Sequence, residues 1–260
     1  VETFSVQHGN IYDDWIGRHH IVDNFFVHGK SSAQLLKRIQ HHNINILISG
    51  SPFLYEILIN KNRIIEDSLL IRKKYDLDER YVLIAFSGHG HLTSREHYIL
   101  CLESVNKLIR NNQSTNFIIK LHPKEQLSDY LLINNDAKNV KVIKEINDSL
   151  FWNKSIFAWL INAEALITGS STIAIEAMLL SVPVISIDYA NEYNKVEFRK
   201  KEASINVNTP DKLNRIFKQF NELGEDRKQK CSEFVTYYYG DINIDASEIV
   251  INNMEKAKYF

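Results

Sequence analysis

The stretch ALITGSSTIAIEAMLLSVPVISID, residues 165–188, decides the fold of this 260-residue chain. It opens with an apolar run, passes through the turn Gly-Ser-Ser-Thr at 169–172, continues as a helical segment that carries Glu176, and ends in a second apolar run. Strands that are covered on both faces are continuously apolar, whereas strands with one solvated face alternate. The stretch therefore predicts a strand, a helix and a second strand of a parallel α/β sheet.

Six other runs are rich in β-branched and aromatic residues, and most of the runs are continuously apolar. They are TFSVQH (3–8), DNFFVHG (23–29), INILISG (44–50), RYVLIAFSG (80–88), TNFIIKLHP (115–123) and VKVIKE (140–145). Between the fourth and fifth runs, one helical face carries the apolar residues Tyr98, Ile99, Leu102, Val105, Leu108 and Ile109, and Thr93 with Glu96 has the spacing of a capping box. The alternation predicts an α/β fold with two Rossmann-like parallel-sheet units.

The chain is predicted to contain four segments, because the charged stretch NKNRIIEDSLLIRKKYDLDER at 60–80 separates two groups of strands. Residues 1–60 form the last part of an N-terminal domain, 61–80 a linker, 81–222 a Rossmann-like domain, and 223–260 C-terminal helices. The chain starts at Val1, inside a strand-like run and without a methionine. We therefore expect the first domain to be incomplete here.

Composition limits the partners that the protein can have. The formal net charge is −1, so no overall charge favours nucleic acid, and an anionic ligand must be held by a local site. Cys101 and Cys231 are the only cysteines and have no paired spacing, which argues against disulfides and a thiolate zinc site. No apolar run approaches the roughly 18–20 residues of a membrane helix. We expect a cytoplasmic protein.

Small and polar residues follow the predicted strands, where ligands bind in open parallel sheets. At the turn of Gly169, Ser170, Ser171 and Thr172, backbone N–H groups and hydroxyls would converge at a helix start, which suits a phosphate. The alternative is that a hydroxyl only caps the helix. Glu176, about one turn along, could accept both hydroxyls of a ribose, although a solvated helix acid is the simpler interpretation.

Two more loops belong to the predicted site. His122 follows a predicted buried strand, and Pro123 ends the strand pairing, so the imidazole could donate a hydrogen bond to a phosphate. The alternative that His122 has only a structural role stays open. Ser87, Gly88 and His89 follow the strand at 80–88, where glycines allow close backbone approach. Only Gly88 and Gly90 are present there, so the segment is not the dinucleotide fingerprint.

Two other patterns lack residues that their function requires. GKSS at 29–32 lacks the earlier glycine of a phosphate loop, because residue 24 is Asn24. His89, His91 and His122 could bind a metal together, but no cluster of Asp, Glu or Cys supports them. We therefore predict no metal.

A candidate base lies in the first unit. His8 ends a strand in a position to face a cleft between the two predicted units, and its ordinary pKa of about 6.5 suits a general base on an acceptor hydroxyl. Asp13 and Asp14 follow closely as alternatives, and a structural turn histidine stays open.

These motifs resemble those of GT-B glycosyltransferases. KLHP at 120–123 and GSST at 169–172 are similar to the His-Pro and Ser-Ser/Thr motifs of bacterial sialyltransferases, polysialyltransferases and capsule or teichoic acid polymerases. IEAMLLSVPVI at 175–185 resembles the nucleotide-binding stretch of GT-B enzymes and UDP-GlcNAc 2-epimerases. QHG at 7–9 resembles the histidine-glycine motif of teichoic-type polymerases. The resemblance implies phosphate contacts by His122, Ser170, Ser171 and Thr172, a ribose contact by Glu176, and His8 as base.

Two motifs depart from those families. In DDWIG at 13–17, two residues separate the acidic pair from the glycine, whereas the sialyltransferase acid-acid-glycine motif has none between them. YANEYNKVE at 189–197 does not match the acidic and arginine motif of the epimerases. The latter argues against epimerase chemistry.

The resemblance implies a metal-independent glycosyltransferase without a cofactor. It would move a sugar from a CMP- or UDP-sugar donor to a glycan or lipid-linked acceptor in surface polysaccharide biosynthesis, as a peripheral protein at the inner membrane face. A CDP-glycerol-type glycerophosphotransferase and a non-catalytic nucleotide-binding module stay open.

Overall fold

A computed structural model describes residues 2–7, 22–39, 43–77, 80–90, 92–123, 125–130, 133, 137–144, 155–194 and 196–257. The chain divides into two compact units. The first consists of Val1–Lys61 with Glu233–Phe260, and the second of Asn62–Ser232. Among the helices in these described ranges, none combines the length and the apolar character that crossing a bilayer requires.

The first unit contains a parallel sheet of three strands in the order β1-β2-β3. Its strands are β1 (Phe4–Val6), β2 (Asn24–Val27) and β3 (Asn45–Ile48), and its helices are α1 (Lys30–Ile39), α2 (Pro52–Ile59), α10 (Ala246–Ala257) and the end of α9 (Phe220–Tyr239). The central strand β2 is buried along its whole length, and Phe25 and Val27 pack with Ala33 and Leu36 of α1. The continuously apolar run therefore marks a strand covered on both faces.

The second unit contains a parallel sheet of six strands in the order β6-β5-β4-β7-β8-β9. The strands are β4 (Tyr81–Ile84), β5 (Phe117–Lys120), β6 (Val140–Ile143), β7 (Ala163–Thr168), β8 (Val184–Ile187) and β9 (Ile205–Val207). The helices are α3 (Lys61–Tyr75), α4 (Arg95–Asn111), α5 (Ser155–Leu160), α6 (Ile173–Leu179), α7 (Glu197–Lys200), α8 (Pro210–Phe217) and most of α9. The α/β prediction with two parallel-sheet units is confirmed.

Helix α4 supplies much of the core beside β4. Tyr98, Leu102, Val105, Leu108 and Ile109, which the sequence places on one face, are all buried. The predicted start of the helix is wrong by one residue. The cap is Ser94, whose side chain accepts from the His97 backbone N–H, so the Thr93–Glu96 capping box does not form.

The stretch that opened the sequence analysis forms β7, α6 and β8. After β6 at one edge of the sheet, the chain returns to place β7 beside β4, so the strand order reverses between these two strands. Ala85 and Thr168 join their carboxyl ends: the Ala85 N–H donates to the Ile167 carbonyl at 3.0 Å, and the Thr168 hydroxyl donates to the Ala85 carbonyl at 2.6 Å. Ligands in open α/β sheets bind outside such a reversal.

Helix α3 occupies most of the segment predicted as a linker, since residues 61–75 are helical. Residues 233–260, which the sequence assigns to C-terminal helices, belong to the first compact unit. The division into four segments drawn from the sequence stays a prediction.

Candidate functional site

A pocket lies at the reversal point of the second unit. It is a shallow depression whose enclosed part has a volume of about 10 Å³, roughly the space of one water molecule, so a larger ligand would lie mostly at its open mouth. Its lining contains four residues that the sequence predicted, Ser87, Gly88, Gly169 and Ser170, and five others, Phe86, Thr93, Tyr98, Cys101 and Tyr193. The loops after β4 and β7 therefore meet as the sequence predicts.

The turn at 169–172 leaves its hydroxyls available. Thr172 precedes α6 with helical backbone angles and its side chain makes no capping hydrogen bond, so the capping alternative does not hold. No residue within the described ranges forms a hydrogen bond with the side chain of Ser170, Ser171 or Thr172. Ser170 is half-buried and lines the pocket, so a ligand there could take up its hydroxyl, whereas Ser171 and Thr172 belong to the same turn but not to the lining.

Gly169 is required by the approach of Tyr193. A Cβ atom at residue 169 would lie 3.0 Å from Cε2 and 3.1 Å from the hydroxyl of Tyr193. The Tyr193 hydroxyl shares a 2.6 Å hydrogen bond with Thr93, and the Ser186 hydroxyl donates to the Gly169 carbonyl at 2.9 Å. The sequence analysis missed Tyr193 because the contact joins the loop after β8 to the turn after β7.

Glu176 lies in the first turn of α6 and is half-buried. Burial raises the pKa of its carboxyl from 4.5 to about 7, against the opposing effect of the Lys120 ammonium. No described residue hydrogen-bonds to this carboxylate. The group is therefore poorly solvated when ionised, and hydroxyl donors from a ligand would stabilise its charge.

His122 follows β5 and is half-buried. Its backbone N–H donates to Oε2 of Glu125 at 2.6 Å. Glu125 is 1% exposed, and its Oε1 also accepts from the hydroxyls of Tyr98 at 2.6 Å and Tyr130 at 2.8 Å. The sequence analysis missed Glu125. The signal was its position three residues after His122, a spacing that lets a carboxylate turn back onto the backbone of a loop.

The loop after β4 meets the same carboxylate. Gly88 has φ +73°, and a Cβ there would lie 3.1 Å from Cγ of Glu125. The ring of His89 lies 6.0 Å from that of Tyr98, and both Ser87 and His89 are exposed. The glycine therefore combines a left-handed conformation with a close approach to Glu125, as a tight loop over a buried side chain requires.

A buried histidine that the sequence analysis did not select anchors the loop after β8. The Tyr189 N–H donates to Nε2 of His97 at 3.0 Å, so Nδ1 carries the proton and donates to Glu192 at 2.8 Å. Asp188 accepts from the N–H groups of residues 192 and 193, each at 2.9 Å. These bonds hold Tyr193 over the pocket.

Cys101 lines the pocket as a neutral thiol. Burial, with Asp188 and Glu192 nearby, raises the pKa of its thiol to about 12. A thiol with this pKa carries almost no thiolate near neutral pH, so Cys101 is unsuited to nucleophilic chemistry.

Five of the predicted residues that the structure describes do not line the pocket: His89, His122, Ser171, Thr172 and Glu176. His8, Asp13 and Asp14 lie outside the described residues. In VHGKSS at 27–32, a Cβ at Gly29 would lie 2.6 Å from the carbonyl oxygens of Tyr237 and Tyr238, so this glycine serves close packing in the first unit. No group of three or more His, Cys, Asp or Glu side chains suited to a metal occurs among the residues that the structure describes.

The six-stranded sheet and its pocket define a GT-B-like α/β protein, and three solved structures share the fold. UDP-GlcNAc 2-epimerase from Neisseria meningitidis, bound to UDP-GlcNAc, has a TM-score of 0.66 at 16% identity, over 90% of this chain and 62% of that one. The wall teichoic acid polymerase TagF has a TM-score of 0.61 at 16% identity, over 92% of this chain and 59% of the polymerase chain. S. aureus MnaA with UDP has a TM-score of 0.59 at 15% identity, over 88% of this chain and 60% of the MnaA chain.

The chain belongs to the family described as UDP-N-acetylglucosamine 2-epimerase, whose model matches residues 16–255. No curated protein sequence matches it significantly. It spans about three fifths of the length of the solved structures, whose low identities establish the fold alone.

Proposed function

We propose that this chain carries the nucleotide-binding part of an enzyme that acts on a nucleotide-activated sugar. One observation supports it most: at the strand reversal, the pocket between the loops after β4 and β7 offers unpaired hydroxyls, and the adjoining helix carries Glu176, whose carboxyl pKa is raised by burial. Membership of a family named after UDP-N-acetylglucosamine favours a uridine nucleotide.

In the proposed site, the phosphate lies against Ser170 and Ser171 and the ribose hydroxyls donate to Glu176. Donors placed around a phosphate stabilise the charge that it gains when it leaves a sugar. His122 is proposed to contribute a further donor from the loop after β5, and Ser87, Gly88 and His89 a backbone wall. The nucleotide sugar is the substrate, and the proposed reaction calls for no separate cofactor.

The first candidate reaction is glycosyl transfer. An acceptor hydroxyl oxygen forms a bond to the anomeric carbon, the bond from that carbon to the phosphate oxygen breaks, and the nucleotide leaves with the electron pair. A base removes the acceptor proton, the role proposed for His8, Asp13 or Asp14. The acceptor is a glycan or lipid-linked molecule of surface polysaccharide biosynthesis, reached at the inner face of the membrane.

The second candidate is epimerisation at C2 of UDP-GlcNAc, which the family match favours. Inverting that carbon requires its proton to leave and a proton to return, so in D2O the product carries deuterium at C2. Glycosyl transfer leaves the C2 hydrogen in place. Mass spectrometry of UDP-GlcNAc incubated with the chain in D2O, with and without acceptor glycans, separates the two reactions.

Binding is tested first, by calorimetry with UDP, CDP and CMP. We expect micromolar to millimolar binding of one nucleotide, and Ser170→Ala to weaken it about fivefold, the worth of one hydrogen bond. Ser204→Ala is the matched control, because its hydroxyl donates to Asn206 in β9 and does not line the pocket. Failure of all three nucleotides to bind at millimolar concentration would refute the proposal, and tighter binding of CDP would favour a CDP-linked substrate.

A further inference from the structure

The carboxylate of Glu125 is buried beneath two loops of the proposed nucleotide site. Its Oε2 accepts from the His122 backbone N–H, and its Oε1 accepts from the Tyr98 and Tyr130 hydroxyls. No basic side chain in the described ranges forms an ion pair with it. Three hydrogen bonds therefore offset the cost of burying this acid.

Glu125 touches three elements at once. It fixes the loop after β5 through His122, it contacts the loop after β4 because Gly88 has no Cβ, and it binds α4 through Tyr98. Tyr98 also lines the pocket beside Ser87 and Gly88. A shift of this carboxylate would therefore move two walls of the proposed site.

We propose that Glu125 is a positioning residue that holds His122 for the nucleotide phosphate. The inference rests on the proposed function, in which His122 contacts that phosphate. A loop whose backbone N–H is bonded to a fixed carboxylate keeps the direction of its side chain. Without that bond the loop samples other conformations, and the apparent nucleotide affinity falls with the fraction of competent loops.

Two substitutions at residue 125 test the geometry with UDP or the tightest-binding nucleotide. Glu125→Ala removes all three hydrogen bonds and is expected to raise the dissociation constant at least about tenfold. Glu125→Gln keeps an oxygen for the His122 N–H and turns an NH₂ group to the tyrosine hydroxyls, which can accept, so we expect affinity within about threefold of wild type. A Gln variant as weak as the Ala variant would overturn the inference.

Asn139→Ala is the matched control. Asn139 is buried just before β6, at the amino ends of the strands and so away from the pocket, and its Nδ2 donates to the carbonyls of Ile109, Asn112 and Thr115. Its removal also takes away three contacts that are buried or partly buried. We expect a lower midpoint of unfolding in both Ala variants and a weaker nucleotide affinity only in Glu125→Ala. Equal affinity losses would mean that general destabilisation, rather than positioning, explains the effect.

A double-mutant cycle with His122→Ala separates positioning from a merely structural role. If Glu125 acts by orienting the imidazole, Glu125→Ala weakens binding by less than about threefold once His122 is alanine. Equal losses in both backgrounds would overturn the inference and leave the proposed function standing. Absence of nucleotide binding in wild type would instead refute the proposed function, and the inference with it.

If Glu125→Ala does not fold, Tyr130→Phe replaces it in the cycle. Tyr130 is buried outside the pocket lining and donates one hydrogen bond to Glu125. We expect a loss of about threefold that disappears in the His122→Ala background. No loss, or an equal loss in both backgrounds, would overturn the inference.

Discussion

Tyr193 lies so close to Gly169 that residue 169 has no room for a side chain. The nearest ring atom would be 3.0 Å from a Cβ at that position, and the phenol is held by the 2.6 Å hydrogen bond between Tyr193 and Thr93. Gly169 does not have a positive φ angle. The contact with the ring, rather than the backbone conformation, therefore explains why the turn after β7 begins with glycine.

Gly169→Ala is expected to destabilise the protein by about 1–3 kcal/mol, because the added methyl group must displace a packed ring. Urea unfolding measures the change. In a Tyr193→Ala background the methyl group has space, so the same substitution should cost less than about 0.5 kcal/mol. An equal cost in both backgrounds would show that the ring does not set the constraint.

Glu176 makes the stability of the second unit depend on pH. Its carboxyl has a pKa of about 7 in the folded chain against 4.5 as the ordinary value. At pH 4 both states are protonated and the group costs nothing. As the pH rises from 4.5 to 7, the unfolded chain ionises first, so folding loses up to about 3.5 kcal/mol, from 2.5 pKa units at ~1.4 kcal/mol each.

We therefore expect Glu176→Gln to unfold at a higher urea concentration than wild type at pH 8, and at nearly the same concentration at pH 4. Lys120→Met is an informative companion, because Lys120 lowers this pKa and its loss should widen the difference at pH 8. A stability difference between wild type and Glu176→Gln that does not vary with pH would contradict the raised pKa.

Much of the fold could be predicted from the sequence because its determinants are local. Buried parallel strands need continuous apolar runs, and eight of the nine strands of the described residues coincide with such runs. The missed strand, β9, has three residues, too few to show a pattern. The start of α4 was misplaced because Thr93 and Ser94 are both good caps. The Thr93 hydroxyl is bonded to Tyr193, 100 residues away, which no local pattern records.

The candidate site likewise has a part that local sequence patterns predict and a part that depends on contacts between distant residues. The polar loops could be assigned to one side of the sheet, because the carboxyl ends of parallel strands share one edge, whereas the neighbourhood of β4 and β7 is seen only in the structure. Glu125, His97 and Tyr193 were missed because each acts through contacts with another loop. A glutamate in a polar loop or a histidine in a helix gives no sequence signal that it is buried. What the sequence could not supply was which polar side chains the loops enclose.

If Glu176 accepts the ribose hydroxyls, nucleotide affinity depends on pH with a defined sign. Hydroxyl donors stabilise the ionised carboxylate, so the ligand binds the deprotonated form better. Since the pKa of Glu176 is about 7, UDP affinity should fall as the pH drops below 7, by at most about tenfold per unit. Calorimetry at pH 8, 7 and 6 measures the slope.

Glu176→Gln serves as the control for that slope, because an amide does not titrate and its affinity should vary little from pH 6 to pH 8. Buffers with different enthalpies of ionisation should also show proton release on binding to wild type at pH 6.5. A slope that persists in the variant would assign the linkage to another group, such as the nucleotide phosphate.

His97 offers a separate test of the loop that carries Tyr193. The side chain is fully buried, Nδ1 donates to Glu192, and Nε2 accepts from the Tyr189 N–H. His97→Ala leaves the Tyr189 N–H without its acceptor, while Glu192 keeps the hydrogen bond from the Ser94 N–H, so we expect a loss of about 1–3 kcal/mol and faster amide exchange at Tyr189. Two conservative variants divide these bonds. The oxygen of His97→Gln can replace Nε2 and keep the Tyr189 amide protected, whereas His97→Asn can reach only Glu192 and leaves that amide exposed to exchange. Equal exchange rates at Tyr189 in the Gln and Asn variants would contradict the assignment of Nε2 as its acceptor.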